Sequence, residues 1–224
     1  IGLSNNTILK HHANIHNALK MAVIDGLIDR NVADLVERPK KVKFLIGFYT
    51  QDEIQQLLNV LSGSRMETPV ILACILGLRR SEVIGLMWDC VDFKTNTVQI
   101  KRKVYYNREK KIDAVSPLLK NKSSYRTLVM PNVLATYLKN LKIVQQKNIK
   151  TKKNYCKDYI GFVNVDEDGY RIRLNYLSSD FPKLLKKANL KVIRFHDLRH
   201  SCASMLLAMG FGMKELQEYL GHSD

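Results

Sequence analysis

The stretch that decides the fold is residues 195–224, FHDLRHSCASMLLAMGFGMKELQEYLGHSD. Its spacing of apolar residues predicts one helix over residues 197–209 and a shorter one over residues 213–220. Gly210 lies where the first helix needs a C-cap, because glycine adopts the left-handed conformation of that position without strain. This part of the sequence is therefore predicted to form two short helices joined by a tight turn.

Three basic side chains of this stretch stand where an anion could bind. His196 and Arg199 are three residues apart at the start of the first helix, so they share one face near the positive end of the helix dipole. His222 follows Gly221, which ends the second helix. Each residue alone also has an ordinary explanation, since a histidine at a helix start is commonly a cap and an arginine there is commonly a surface charge.

A second motif, GLRRSE at residues 77–82, follows the apolar stretch of residues 69–78. An arginine at the end of a buried helix is costly unless it is paired or binds an anion. Glu82 lies three residues after Arg79 and could hold its guanidinium group. The pattern therefore predicts either an anion site at Arg79 or a simple Arg–Glu pair at a helix end.

The rest of the sequence predicts a mainly α fold with a small antiparallel β-sheet, which is the α+β class. The TQDE sequence that begins at Thr50 is a capping box and marks a helix start. Gly77 is compatible with a break in the helix that contains it. Further helices are expected over residues 7–28, 50–61, 67–88, 132–148 and 175–188.

The middle of the sequence has the alternation of β-strands. One strand is predicted to run continuously over residues 97–106 and another over residues 125–130. Between them lies the turn sequence PLLKNKSS, so residues 92–130 are predicted to form a small sheet with a basic turn. A short apolar strand is expected around residues 160–163.

The positive charge is concentrated in this middle part. The formal net charge of the chain is +15, and residues 101–157 contain sixteen lysines and arginines against two acids. A field so concentrated attracts a polyanion, of which nucleic acid is the commonest. A solubilising surface is the alternative. No apolar run reaches the roughly 18 residues of a membrane span, so no membrane partner is expected.

The sequence contains no motif typical of a metal site or a disulfide framework. The four cysteines lie far apart and form no C-x-x-C motif, so neither a disulfide framework nor a zinc site is expected. We expect the protein to work in a reducing environment. The sequence has no cluster of Asp and Glu typical of a two-metal nuclease and no phosphate-binding loop motif. We therefore expect neither a metal nor another cofactor.

Taken in order, these motifs are similar to those of the tyrosine recombinase (phage integrase) family. The resemblance rests on G-L-R-x-S-E after an apolar helix, a basic β-turn, H-D-L-R-H and L-G-H, and it spans residues 50–224. Residues 18–40 resemble the end of that family's core-binding domain. The integrases of conjugative transposons and Gram-positive phages are the most similar kind.

The resemblance implies a role for each matching residue. Arg79 and Arg199 match the two catalytic arginines, whose planar guanidinium groups would clamp the non-bridging oxygens of the scissile phosphate. His196 and His222 match histidines that serve as phosphate ligands and proton-transfer partners. Glu82 matches a position that supports the first arginine.

A lysine in the turn of the basic hairpin is implied as the general acid for the 5′-oxygen leaving group. Lys120 and Lys122 both lie there, and counting back from Arg126 favours Lys122. For either lysine, simple contact with backbone phosphate is the alternative. Basic residues near the motifs are predicted to contact DNA, and these are Arg80, Lys101, Lys103, Lys120 and Arg126.

The resemblance also implies a nucleophile that matches no residue of this sequence. In relatives a tyrosine follows the L-G-H histidine by about nine positions, whereas this sequence ends at Asp224. The chain is therefore expected to bind DNA without cleaving it alone, unless a partner supplies the tyrosine. We expect residues 1–40 to end a core-binding domain, residues 41–49 to be a linker, and residues 50–224 to be a catalytic domain that lacks its tyrosine segment.

The implied function is site-specific recombination, with DNA strands cleaved and rejoined through a 3′-phosphotyrosyl intermediate as mobile DNA is integrated or excised. Double-stranded DNA, further protomers in a dimer or tetramer, and excisionase or host DNA-bending proteins are the expected partners. The expected location is the bacterial cytoplasm, on the nucleoid. Two alternatives stay open: a DNA-binding module without catalysis, and a type IB topoisomerase.

Overall fold

The structure, a computed structural model, describes residues 2–42, 47–117 and 125–221. The chain divides into two compact units, Ile1–Leu45 and Ile46–Asp224. Within the described ranges it forms eight α-helices and five short strands, which confirms the predicted mainly helical fold with small antiparallel β-structure. No helix in these ranges is both long and apolar enough to cross a membrane.

The first unit consists of helix α1 (Asn5–Ile24) and a short 3₁₀ helix (Val32–Leu35). The side chain of Ser4 caps α1, and Asn31 caps the 3₁₀ helix. The predicted helix over residues 7–28 is present with shifted ends. None of its residues is buried, so its apolar residues remain accessible to solvent.

The second unit contains the other seven helices. The capping box predicted at Thr50 is present, because its hydroxyl accepts from the Glu53 backbone N–H at 3.3 Å and the Glu53 carboxylate accepts from the Thr50 backbone N–H at 2.8 Å. The helices are α2 (Gln51–Leu61), α3 (Glu67–Leu76), α4 (Arg80–Gly85), α5 (Asn132–Thr151), α6 (Leu174–Lys187), α7 (Asp197–Ala208) and α8 (Met213–Leu220).

Helix α3 lies at the centre of the core. Seven of its ten residues are buried, which explains why its apolar residues show no amphipathic period. Side chains of α2 and α6, such as Leu57 and Phe181, are completely buried in the same cluster. Helix α7 packs directly against α3 and thereby brings the start of the H-D-L-R-H motif to the end of the central helix.

The strands form two sheets where one was predicted. The strands β1 (Val91–Asp92), β2 (Thr97–Ile100) and β5 (Arg126–Val129) make an antiparallel sheet in the order β1-β2-β5, whereas β3 (Arg102–Asn107) pairs with β4 (Ile112–Pro117). The expected continuous strand over residues 97–106 is wrong because the chain changes partner after Ile100. Strand β4 was not predicted.

The break between β2 and β3 has a packing reason. Strand β3 packs against α4, where Gly85 leaves room for the strand backbone. A Cβ atom at Gly85 would lie 3.1 Å from the Arg102 carbonyl oxygen and from the Lys103 Cα atom. The alternation of Val98 and Ile100 resumes with Val104 in the same register, so the sequence pattern alone does not show that the partner strand changes.

The strand expected around residues 160–163 is also wrong. The segment forms turns and isolated bridges, Met87 with Phe162 and Val165 with Arg171. Its backbone pairs with the chain just after α4, through Val163 N–H to Leu86 O at 3.0 Å, and no second strand extends the pairing in the described ranges. Of the predicted turn over residues 117–124, Pro117 belongs to β4 and the rest lies outside the described residues.

Candidate active site

The GLRRSE motif forms a sharp connection between the central helix and α4. Helix α3 ends at Leu76, and Gly77 takes the left-handed conformation with φ of 60°. Glycine is needed here for the left-handed backbone, and a methyl group on Gly77 would also displace the side chain of Leu220. The turn places Arg79 at the N-cap of α4, at the protein surface beside this contact.

Glu82 is the buried centre of the site, with only 2% of its surface exposed. Its Oε1 atom accepts from Arg79 Nη1 at 2.9 Å and from Arg126 Nη1 at 3.2 Å. Its Oε2 atom accepts from the Arg79 backbone N–H at 2.9 Å and from Arg126 Nη2 at 3.0 Å. One carboxylate therefore holds two guanidinium groups that come from different parts of the chain.

This environment keeps Glu82 ionised. Burial alone would raise the pKa of its carboxyl group, but the hydrogen bonds and charge of Arg126, together with the two hydrogen bonds from Arg79, outweigh burial and hold the pKa below its usual value. A charged Glu82 can orient Arg79 at neutral pH. The arginine retains one third of its side-chain surface, so it can also meet a ligand from solution.

Arg199 lies in the first turn of α7 and is almost completely buried. Its Nη1 donates to the carbonyl oxygen of Gly77 at 2.6 Å, and its Nη2 donates to that of Leu220. Burial, and next the positive charge of Arg79, lower the pKa of Arg199 to about 10. The guanidinium group thus remains charged at neutral pH, although it lies in a costly environment that an anion would relieve.

The C-terminal end of α8 gathers three arginines. The carbonyl oxygens of Tyr219, Leu220 and Gly221 each accept from one of them: Arg126 Nε donates to the first at 2.9 Å, Arg199 Nη2 to the second, and Arg79 Nη2 to the third at 2.5 Å. These carbonyls carry the partial negative charge of a helix end, which stabilises cations there. Because the three guanidinium groups bind successive carbonyl oxygens, the end of α8 determines how far apart they lie.

His196 is the residue that precedes α7. Its ring meets the ring of His200 edge-on, with 5.6 Å between ring centroids. Burial, and then the charges of His200 and Arg199, lower the pKa of His196 below its usual value. The imidazole is therefore mostly neutral at pH 7 and can accept a proton.

The sequence profile of the phage integrase family matches residues 48–224, which is most of the chain. The chain belongs to the phage integrase family. A XerC-like tyrosine recombinase of Caldanaerobacter subterraneus is 28% identical over 193 residues, which are 83% of this chain and 49% of that protein. The ICEBs1 integrase of Bacillus subtilis is 23% identical over 224 residues, 99% of this chain and 59% of the integrase. The chain thus spans about half the length of the first of these relatives.

Solved structures of integrases have the same fold. The Tn1549 transposon integrase in complex with circular-intermediate DNA superimposes with a TM-score of 0.78 and 22% identity, covering 100% of this chain and 73% of that one. A λ integrase tetramer bound to a Holliday junction gives a TM-score of 0.64 and 16% identity over 95% of this chain and 55% of that one. At this identity the likeness shows the fold.

The structure brings together four of the residues that the family motifs single out. Arg79 and Arg199 meet at the end of α8, Glu82 holds Arg79, and His196 precedes the helix that carries Arg199. Three further site residues, Lys120, Lys122 and His222, lie outside the described residues. Gly221, the last described residue, accepts from Arg79 Nη2 through its carbonyl oxygen, and His222 is the next residue of the sequence.

The residues predicted to contact DNA have different environments. Lys103 on β3 is exposed, and Lys101 between β2 and β3 is half-buried. Arg80 is half-buried and donates to the hydroxyl of Ser178 on α6. No group of three or more His, Cys, Asp or Glu within the described ranges could hold a metal ion.

Arg126 needs a correction. Only 8% of its surface is exposed, and its guanidinium group is taken up by Glu82 and the Tyr219 carbonyl, so a direct contact with DNA does not fit this position. The sequence contained a signal for this. In β5 the alternate residues Arg126 and Leu128 are buried while Thr127 and Val129 are exposed, and the same period of two places Arg126 on the inner face.

Proposed function

We propose that this chain is the phosphate-activating part of a site-specific DNA recombinase that integrates or excises mobile DNA. The observation that carries the proposal is the convergence of Arg79 and Arg199 on adjacent carbonyl oxygens, Gly221 and Leu220, beside the buried Glu82. Guanidinium groups held this way match two oxygens of a phosphodiester. The family to which the chain belongs supports a recombinase.

The proposed reaction is a transfer of the phosphoryl group to a tyrosine. The tyrosine oxygen attacks phosphorus and forms a new P–O bond, the bond to the 5′-oxygen breaks, and the phosphate stays attached to the 3′-oxygen. Arg79 and Arg199 stabilise the charge that develops on the non-bridging oxygens. His196 and His222 would bind the phosphate and move protons, and Lys122, or alternatively Lys120, would protonate the departing 5′-oxygen.

We assign the nucleophile to none of the tyrosines of this sequence. Tyr219 is the one closest to the site along the chain, but its hydroxyl contacts the Ile75 carbonyl at 3.5 Å inside the fold. Burial, and then the neighbouring Cys202, raise the pKa of Tyr219 to about 12. Such a phenol is a poor source of phenolate, so we propose that the attacking tyrosine comes from outside residues 1–224.

Further parts of the proposal concern partners and organisation. We propose that residues 1–40 end a core-binding domain, that residues 41–49 form a linker, and that residues 50–224 form the catalytic domain. Double-stranded DNA is the proposed substrate, contacted by Arg80, Lys101, Lys103 and Lys120. Assembly of protomers on DNA is proposed because the λ integrase structure is a tetramer on a Holliday junction. We further propose that excisionase or DNA-bending proteins are partners and that the protein acts on the bacterial nucleoid.

The experiment that tests this function uses the natural protein. It is incubated with a nicked DNA duplex from the junctions of the element that encodes it. A covalent 3′-phosphotyrosyl adduct that disappears in Arg79→Ala, while the exposed Arg65→Ala control retains it, supports the recombinase. Binding without an adduct supports a DNA-binding module, and relaxation of plasmids without site preference supports a topoisomerase.

A further inference from the structure

Arg126 has an unusual position for a basic residue of a DNA-binding surface. It begins β5, and all three nitrogens of its guanidinium group donate to acceptors within the fold: two to the oxygens of Glu82 and one to the Tyr219 carbonyl. A buried guanidinium group is tolerated only with such pairing. The side chain therefore belongs to the interior of the site and not to its DNA-facing surface.

The contacts of Arg126 lead directly to the proposed phosphate ligands. Through Glu82 it shares both carboxylate oxygens with Arg79, so each oxygen accepts one hydrogen bond from each arginine. Without Arg126 the carboxylate would lose two of its four hydrogen bonds and could rotate away from Arg79. The orientation of Arg79 therefore depends on a residue 47 positions later in the sequence.

A second contact connects the same side chain to α8. The Nε atom of Arg126 holds the Tyr219 carbonyl, and the next two carbonyls are held by Arg199 and Arg79. Arg126 thus fixes the helix end on which both other arginines are spaced. Arg126 is also the first residue of β5, so these contacts anchor the start of that strand.

We infer that Arg126 is a positioning residue for the phosphate clamp, which consists of Arg79 and Arg199. It acts through Glu82 and the end of α8 and does not itself contact DNA. The inference rests on the proposed function, because it concerns the same site. It predicts that loss of Arg126 slows the chemical step without removing a charge that neutralises a DNA phosphate.

The first test compares the salt dependence of DNA binding for Arg126→Gln and Lys103→Gln. Each phosphate contact contributes about 0.9 to the slope of log K against log salt concentration. We expect the wild-type slope for Arg126→Gln and a slope smaller by about 0.9 for Lys103→Gln. A reduced slope for Arg126→Gln would mean that this arginine does contact phosphate, and the inference would be overturned.

The second test separates positioning from a purely structural role. Single-turnover adduct formation by the natural protein is measured on DNA with an ordinary phosphate and on DNA with a neutral methylphosphonate at the scissile position. Because the clamp stabilises negative charge on non-bridging oxygens, a misplaced clamp costs less when the substrate carries no such charge. The rate of adduct formation by Arg126→Gln should fall about 10- to 100-fold on the phosphate substrate and clearly less on the methylphosphonate substrate. Arg79→Ala should show the same difference between the substrates.

The matched control is Arg171→Gln. Arg171 is also partly buried, is stacked on the rings of Tyr159 and Phe162, and donates to the Asp113 carbonyl at 2.5 Å. Its loss removes the same charge and a paired guanidinium group from another part of the unit. Any effect of Arg171→Gln on the rate should be the same on both substrates, because it reflects the fraction of folded protein.

The outcomes separate the inference from the function on which it rests. A wild-type protein that forms no adduct on either DNA overturns the recombinase itself. An active wild type with equal fold-losses of Arg126→Gln on both substrates overturns the positioning role alone. If Arg126→Gln does not fold, Arg126→Lys replaces it, since lysine keeps the charge but not the two-pronged contact with Glu82, and the same difference between substrates is expected.

Discussion

Two regions of the second unit carry positive charge in opposite ways. In the arginine cluster around Glu82, the side chains of Arg126 and Arg199 are nearly inaccessible to solvent and each donates to fixed acceptors. On strand β3, Lys103 is exposed. Since all carry a single positive charge, the difference lies in how firmly the fold orients that charge.

The comparison teaches what each kind of charge can do. An oriented guanidinium group can stabilise a transition state because it needs no rearrangement as the reaction proceeds. An exposed ammonium group attracts DNA over a distance and is screened by salt. We therefore expect changes in the arginine cluster to affect catalysis and folding, and changes on β3 to affect affinity.

The largest effect is expected for Arg199→Ala. The variant loses a preorganised donor to the phosphate, and such a loss costs about 100- to 1,000-fold in rate. The rate of single-turnover cleavage by the natural protein at saturating DNA measures this loss. Arg65→Ala is the control, because Arg65 is more than half exposed and, among the ion pairs of the described residues, contacts only Asp166, at 3.4 Å. Comparable rates for the two variants would contradict the division between oriented and exposed charge.

Glu82→Gln should have the next largest effect, this time on stability. Removing one member of a buried ion pair costs about 3 kcal/mol, and here the carboxylate serves two arginines. Urea unfolding of the variant and the wild type measures the difference in the free energy of unfolding. A difference close to that of an exposed-pair variant such as Asp180→Asn would show that the cluster is not held by Glu82.

The same pair of proteins has a predicted pH dependence. Because the folded-state pKa of Glu82 lies below its usual value, its ionised form stabilises the fold above the unfolded-state pKa of about 4.3, and this contribution is lost as pH falls through the folded-state pKa. The gap in stability between wild type and Glu82→Gln should therefore narrow as pH falls below about 4.3. A gap that stays constant between pH 7 and pH 3 would contradict a charged, paired Glu82.

His200→Gln is expected to have a moderate effect on the pKa of His196. Burial lowers the pKa of His196 first, and the charge of His200 lowers it further. Removing that charge should raise the pKa of His196 toward its usual value, so the acid limb of the cleavage-rate profile moves to higher pH. NMR titration of the His196 ring measures the shift directly, and an unchanged or lower pKa would contradict the proximity of the two charges.

The smallest effect is expected for Lys103→Gln on the exposed strand. One lost phosphate contact should raise KM with kcat nearly unchanged, because such a contact binds substrate and transition state equally. The rise in KM should shrink as salt is added, and kinetics at two salt concentrations check this. A large fall in kcat would place Lys103 among the oriented charges.

Much of the fold could be predicted because its signals are local. The helix over residues 213–220, the capping box at Thr50 and the break at Gly77 each follow from a few adjacent residues. The two sheets could not be predicted, since the alternation of apolar residues says nothing about which strand pairs with which. The β3–β4 hairpin is the clearest case, because β4 contains few of the residues that mark a strand.

The candidate site divides in the same way. Arg79, Glu82 and Arg199 were predicted from motifs, and the structure places Glu82 against Arg79 and Arg199 against the carbonyl oxygen of Gly77. The carbonyl oxygens at the end of α8 could not be found, because every residue has a carbonyl and only the fold selects three. The buried position of Arg126 was not predicted, since its charge was considered before the alternation of β5.

The most direct test of phosphate activation supplies the nucleophile from solution. Residues 1–224 are bound to DNA that spans the junction of the encoding element, and hydrogen peroxide is added so that its anion can attack the scissile phosphorus and release a 5′-hydroxyl. We predict cleavage at one position that requires peroxide, Arg79 and Arg199. Bound DNA that stays intact, or cleavage that persists in Arg79→Ala, would contradict a site built to activate the phosphate.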